Sequence, residues 1–293
     1  MGVIISVTNQ KGGVAKTLTT SSIASILTEQ GYKVLIISAD PQRNLDMIAG
    51  ENALIPPNDI TSPSLLHVLH GSVDIRDAII HTRIGDLVRS SMHLTQWQGE
   101  DLITVEEYEA NKNDLKALQQ LLEQRFVEAE RRKSTLFRIL YKVKPDYDYI
   151  LIDTNPSLTL LTLNSIYASD YVLIPAFAEE ASLSAVYELA DTISTLLFYN
   201  KGRDIRIIGI LMTKIEKVLL AVPRYTELYQ KAAAQLNTRL FKTKIRKSAR
   251  AMDYIDAGWD LVSYDPRGKA TQDYRDFVEE LKQAIEEEEA TKR

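Results

Sequence analysis

The sequence predicts an α/β domain: a mostly parallel, twisted sheet with helices on both faces and a helical elaboration in the middle of the chain. Three observations carry this. Short apolar, largely β-branched runs recur at residues 3–7, 33–37, 149–153, 171–175 and 205–211. Helical patterns separate several of them, and such alternation marks parallel strands joined by crossover helices. The first run is followed by a polar, glycine-containing loop and then directly by a helical pattern, so that strand, loop, helix and second strand form one βαβ unit.

Taken in order, Val3-Ile4-Ile5-Ser6-Val7 reads as a strand covered on both faces, which is what an almost uninterrupted apolar run suits. Asn9 to Gly13 is the loop. From Thr17 through Glu29, Ile23, Ile26 and Leu27 are the apolar side of a helix, and Gly31 is its expected stop. Lys33 to Ile37 is the second strand and ends in Ser38-Ala39-Asp40-Pro41. Tyr149 to Asp153 and Tyr171 to Pro175 are strands with a helix-like stretch between them, and Ile205 to Leu211 is a further strand. Residues 51–147 break this rhythm. Their stretch 105–143, rich in Glu, Lys, Leu, Ala and Gln, reads as one or two long helices. No Pro/Gly/Ser-rich linker flanks the interruption. The expectation is therefore a single domain over 1–293, with 51–147 a mostly helical elaboration and 286–293 an acidic tail.

Composition narrows the class of protein. Hydrophobic residues make up 45% of the 293 and charged residues 26%, an ordinary globular balance. No run approaches the ~18 apolar residues of a membrane span, and no charged leader with a cleavage site opens the chain. A cytoplasmic protein is expected. The absence of cysteine excludes disulfides, thiolate zinc sites and cysteine-held iron–sulfur clusters. The net charge of −5 conceals a basic segment: residues 201–250 hold 13 Lys or Arg against 3 Asp or Glu. Glu286 to Glu289 form an acidic run near the C-terminus.

The chemistry is concentrated in the first loop, Lys11-Gly12-Gly13-Val14-Ala15-Lys16-Thr17. Behind a buried strand, the backbone N–H groups of such a loop converge on one point, and the following helix adds its positive end. Gly12 and Gly13 let the backbone approach phosphates, Lys16 neutralises their charge, and the Thr17 hydroxyl suits Mg2+. The expectation is a P-loop NTPase fold with ATP and Mg2+ as cofactors. The general pattern places Gly at two positions where this chain has Gln10 and Ala15.

The stretch Asn9 to Thr17 resembles a known variant of that pattern, the deviant Walker A loop of the ParA/MinD ATPases, in which Lys11 matches an extra signature lysine. Further matches follow in the family's order. Asp40-Pro41-Gln42-Arg43-Asn44-Leu45 resembles the family's Asp-Pro-Gln-Gly-Asn-Leu motif, with Arg43 departing at the glycine. Tyr149 to Asp153 resembles the Walker B strand, and Asn155-Pro156-Ser157-Leu158 a Pro-Pro-Ser-Leu signature. Ser263-Tyr264-Asp265-Pro266-Arg267-Gly268, followed by Tyr274, resembles a closing Tyr-Asp-Pro segment. Among family branches the chain is most similar to plasmid or chromosome partition ATPases of the ParA type.

The resemblance implies roles. Nucleotide contacts fall to Lys11, Gly12, Gly13, Val14, Ala15, Lys16, Thr17, Leu18, Asp265 and Pro266. Thr17 and Asp153 hold Mg2+, Asp40 orients the attacking water, and Lys16 serves the phosphates. Lys11 reaches the ATP of the other subunit, so that ATP joins a homodimer and hydrolysis releases it. The ATP-bound dimer of such proteins binds DNA without sequence preference, here through Arg224, Lys242, Lys244, Arg246, Lys247 and Arg250, with Lys214, Lys217 and Lys231 nearby. A ParB-like centromere-binding adaptor stimulates hydrolysis, with 105–143 as one docking surface. Localisation would be cytoplasmic and nucleoid-associated. With the loop beginning at residue 11, no helix-turn-helix domain is expected ahead of it. Two alternatives stay open: a MinD-like ATPase cycling on membranes, against which the Glu286–Glu289 run speaks, and a metabolic P-loop enzyme that consumes ATP.

Overall fold

The computed structural model describes residues 2–56, 59–97, 132, 134–199, 203–216, 221–248 and 253–292, with a few single positions between 110 and 120. Among the described residues seven strands form one sheet: β1 (Val3–Val7), β2 (Val34–Ala39), β3 (Ile79–Thr82), β4 (Gly85–Val88), β5 (Tyr149–Thr154), β6 (Tyr171–Ala176) and β7 (Arg206–Met212). Their order is β3-β4-β2-β5-β1-β6-β7. Every neighbouring pair is parallel except β3 against β4. The main helices are α1 (Lys16–Glu29), α2 (Asn44–Ala49), α3 (Leu65–His70), α4 (Thr135–Val143), α5 (Leu160–Ala168), α6 (Glu180–Tyr199), α7 (Ala221–Gln235), α8 (Leu261–Tyr264) and α9 (Lys269–Thr291). Among the described residues no helix is long and apolar enough to cross a membrane.

Alternation along the strands builds two core faces. Ile5, Ile36, Leu151, Leu173 and Leu211 point to the face covered by α1 and α9. Their neighbours Ile4, Leu35, Ile37, Ile150 and Ile152 meet α3, α4 and α5 on the other face. Val172, Ile174, Ile210 and Met212 extend that second face under α6 and α7. Burial on both faces is why these strands read as continuous apolar runs. The expected mostly parallel sheet with helices on both faces is thus observed.

The sequence reading missed two strands. Within 51–147, β3 and β4 form a hairpin that extends the sheet beside β2. Gly85, at φ +124, closes the hairpin where a Cβ would stand 2.9 Å from the Val34 carbonyl oxygen. β3 is an edge strand with no fully buried residue, so its apolar periodicity is weak. Of the long helices expected over 105–143, α4 is present, while most of 105–133 lies outside the described residues.

The acidic run is a correction. Residues 286–291 are the last turns of α9. Arg206 pairs with Glu288 at 2.9 Å, Arg239 with Glu287 at 2.6 Å, and the Tyr171 hydroxyl donates to Glu289 at 2.5 Å. The basic segment binds the acidic one back onto the body, which a count of charges along the chain does not reveal.

Candidate nucleotide site

β1 lies between β5 and β6, and chain connections leave it and its neighbours in opposite directions. Such a switch point opens a crevice at the carboxyl ends of the strands. The loop after β1, the turn after β2 and the end of β5 all meet there. β5 pairs with β1 so that Asp153 stands beside Val7, directly before the loop.

The loop is tied down from several sides. Asn9 is fully buried; its amide donates to the Pro175 carbonyl at 2.7 Å and its Oδ1 accepts from the Lys11 N–H at 2.8 Å. The Val14 carbonyl accepts from the Thr213 hydroxyl at 3.1 Å. Gly13 has φ +77. Ala15, which caps α1, has φ 66 and ψ 33, a left-handed conformation. Holding alanine there costs about 1 kcal/mol. Ala15 therefore keeps the backbone shape that glycine gives the general pattern, at an energetic cost.

Lys16 begins α1 and is 7% exposed. Its ammonium donates to the Asn9 and Lys11 carbonyls at 3.0 and 3.2 Å. Burial lowers its proton affinity, while Asp153 and Asp40 raise it. Thr17 donates from its hydroxyl to Asp153 at 2.9 Å, and Thr20, one turn along the same face of α1, donates to the other carboxylate oxygen at 3.3 Å. Asp153 is completely buried; desolvation and then the Asp40 charge push its pKa up to about 7, opposed by Thr17, Lys16 and Thr20. Asp40 follows β2 and accepts the Gln42 N–H at 2.9 Å. Arg43 takes φ 61, in the left-handed region that glycine favours.

A cleft of about 420 Å³ is lined by Gly13, Ala15, Lys16, Thr17, Leu18 and Asp40, while Asp153 is buried behind Thr17 and does not line it. Ile245, Arg246, Lys247, Tyr254 and Tyr274 face them. Lys11 is 41% exposed, with its ammonium 3.6 Å from Glu179.

Not every sequence-predicted residue reaches the cleft. Lys11, Gly12, Val14, Asp153, Asp265 and Pro266 are not among its lining residues; the Asp265 carbonyl accepts the Gly268 N–H and the Thr271 hydroxyl and so starts α9. Of the basic set, Arg224 and Lys242 are exposed, and Lys244 donates to the Thr226 hydroxyl at 2.8 Å. Arg246 is held by Asp273, with Nε at 2.7 Å, and Lys247 by Glu216 at 2.6 Å; both also line the cleft. Arg250 and Lys217 lie outside the described residues. Lys214, expected beside the basic DNA-contacting group, lines the cleft instead. The sequence reading assigned no role to Thr20, Tyr254 or Ser248. Thr20 had a visible signal, its i,i+3 spacing from Thr17; the other two come from distant segments and had none.

Comparison with known proteins agrees with this geometry. The AAA_31 family, described as an AAA domain, matches residues 2–124 and 115–206. The sporulation initiation inhibitor protein Soj of Bacillus subtilis (strain 168) is 29% identical over 284 residues, covering 96% of this chain and 98% of Soj. The chromosome partitioning protein ParA of Myxococcus xanthus is 27% identical over 281 residues, covering 96% of this chain and 88% of ParA. Among solved structures, cobyrinic acid a,c-diamide synthase from Mycobacterium smegmatis with bound ADP and magnesium is 26% identical with a TM-score of 0.70, covering 95% of this chain and 93% of that one. Sequence, loop and fold converge: the chain belongs to the AAA_31 family and is a ParA/MinD-type deviant Walker A ATPase.

Proposed function

We propose that this chain is a DNA-partition ATPase that uses ATP with Mg2+ to join two copies, grips DNA without sequence preference as a dimer, and lets go on hydrolysis. One observation carries the reading. Lys11 stands ahead of the glycines, and its contact with Glu179 is long, 3.6 Å, between side chains 41% and 46% exposed. An exposed ion pair contributes about 0.2–1 kcal/mol, so Lys11 is cheaply released toward a neighbouring subunit's phosphates.

Within the cleft, the residues fit a triphosphate and its metal. Among the described residues the Lys16 ammonium donates to two backbone carbonyls, which an anion readily displaces. Space around Gly12 and Gly13 is open, with no heavy atom within 4 Å of either added Cβ. Thr17 and Asp153 are already paired and would hold Mg2+, which when bound neutralises phosphate charge. Ionised Asp153 would replace its desolvation cost with a cation. Asp40 would orient the attacking water, and Lys11 of one subunit would stabilise charge building up in the other.

For DNA, Arg224, Lys242 and Lys247 supply exposed cations, and Lys244 and Arg246 stand beside them. ParA of Myxococcus xanthus is by name a chromosome partitioning protein, which supports cargo of that class and a ParB-like adaptor as partner. The likeness to a cobyrinic acid synthase favours a second reading, ATP-dependent chemistry on a small molecule. A gel shift of random-sequence DNA separates them. The proposed function predicts retardation with ATP and Mg2+ that weakens steeply with salt and disappears in ADP. DNA binding indifferent to nucleotide, or none at low salt, would contradict it; liposome pelleting with ATP would favour a membrane-cycling relative instead.

A further inference from the structure

The turn that carries Asp40 is braced from the far side by the hairpin the sequence did not reveal. Ser90, two residues beyond β4, is fully buried. Its hydroxyl donates to the Asp40 carbonyl at 2.7 Å, and its N–H donates to Asp46 Oδ2 at 3.0 Å. Asp46 lies on α2, which begins at Asn44 immediately after the turn, and is itself fully buried. The Arg43 guanidinium reaches Asp46 with Nε at 3.9 Å and donates to the Ile55 carbonyl at 2.5 Å. Arg89 also faces Asp46 electrostatically and donates to the Pro63 carbonyl at 3.0 Å. Burial pushes the Asp46 carboxyl up to about 7, while Ser38, the Ser90 amide, Arg43 and Arg89 pull it back.

A buried carboxylate between two arginines is costly to assemble and strongly destabilising to break by removing one partner. Here it fixes a place rather than a surface. Among the described residues, the Asp40 side chain accepts a hydrogen bond from the Gln42 N–H alone. Where that carboxylate sits relative to the phosphate loop depends on where its backbone sits. The Asp40 carbonyl accepts the Arg43 N–H within the turn at 3.0 Å, and Ser90 is the tether that reaches it from a distant segment outside the nucleotide cleft, with Asp46 in turn holding the Ser90 N–H.

We infer that Ser90 and Asp46 are positioning residues for hydrolysis, holding the Asp40 backbone so that its carboxylate meets the attacking water. Neither Ser90 nor Asp46 lines the cleft, so they do not add to ATP affinity. The inference rests on the reading of Asp40 as the water-orienting group.

The test is steady-state ATP hydrolysis, with binding of a non-hydrolysable ATP analogue and thermal unfolding measured on the same full-length variants. A misplacement of about 1 Å costs up to 10²-fold in rate. Ser90→Ala is expected to lower kcat about 5- to 50-fold while KM and analogue affinity stay within about twofold. Asp46→Asn keeps the shape and one acceptor, so it should lower kcat less, with KM again unmoved; it serves where Ser90→Ala folds poorly. Asp40→Ala is the reference. If it hydrolyses ATP at the unsubstituted rate, the reading of Asp40 fails and the brace with it. If it is inactive while Ser90→Ala and Asp46→Asn retain full kcat, the brace alone is wrong. A parallel loss of kcat and analogue affinity in the folded variants would also overturn it, since that is the mark of a distorted pocket.

Discussion

Gly12→Ala separates what the loop does for the fold from what it does for a ligand. A Cβ at Gly12 would meet no heavy atom within 4 Å, and Gly12 does not take the positive φ that Gly13 takes at +77. The fold therefore makes no demand for glycine at residue 12. Alanine there restricts the unfolded chain and strains nothing, so stability should stay within about 0.5 kcal/mol, or about 2 °C in Tm. A phosphate is different. A methyl group beside the backbone N–H groups holds the anion off, and the loss of one charge-assisted hydrogen bond is about 1.5–3 kcal/mol, roughly 10- to 100-fold in ATP affinity. Gly13→Ala should add a folding cost of about 1 kcal/mol, because its φ is left-handed. Thermal unfolding and ATP titration on both variants measure the two effects. Unchanged ATP affinity in Gly12→Ala, at unchanged Tm, would refute the idea that the glycine exists for phosphate approach. A large fall in Tm would show instead that the loop conformation was misjudged.

Two further predictions concern stability. Asp46 has its folded pKa raised to about 7 from 3.8, so its contribution is greatest below the unfolded value and is lost as pH rises through about 7. Between pH 5 and 8 this one carboxyl should remove about 2–3 kcal/mol that Asp46→Asn does not lose, read as a smaller fall in Tm for the variant; equal slopes would refute it. Gly209→Ala places a Cβ 2.4 Å from Phe241 Cε2, in a ring packed edge-to-face on Phe277 with centroids 4.9 Å apart. Overpacking there should cost about 1–3 kcal/mol with ATP affinity intact, and an unchanged Tm would show that Phe241 yields freely.

Much of this molecule was legible in its sequence, for physical reasons. β1, β2, β5, β6 and β7 are covered on both faces, so each is an apolar run that local pattern alone identifies. The phosphate loop is local too: its glycines, Lys16 and Thr17 lie within residues 12–17, where the loop runs into a helix. Ala15 and Arg43 stand where glycine was expected, yet both adopt the left-handed turn. There the backbone shape survived a change of residue type that a motif match counts as a departure. What the sequence could not supply was proximity between distant segments. β3 and β4 are short and partly exposed, and they were hidden in a stretch that reads as helix. The pairing of Glu287 and Glu288 with Arg239 and Arg206 turned an acidic tail into a docked helix. The same effect moved Arg246 and Lys247 from an undivided basic patch to the wall of the nucleotide cleft, each with a carboxylate partner.

The central claim is that ATP joins two copies of this chain through Lys11. Its most direct measurement is mass in solution, by light scattering, of Asp40→Ala with and without the added Lys11→Ala substitution, in ATP and Mg2+ and in ADP. The account predicts a dimer for Asp40→Ala in ATP, a monomer in ADP, and a monomer in ATP once Lys11 is removed although the nucleotide still binds. A Lys11→Ala variant that dimerises in ATP as fully as its parent would contradict it.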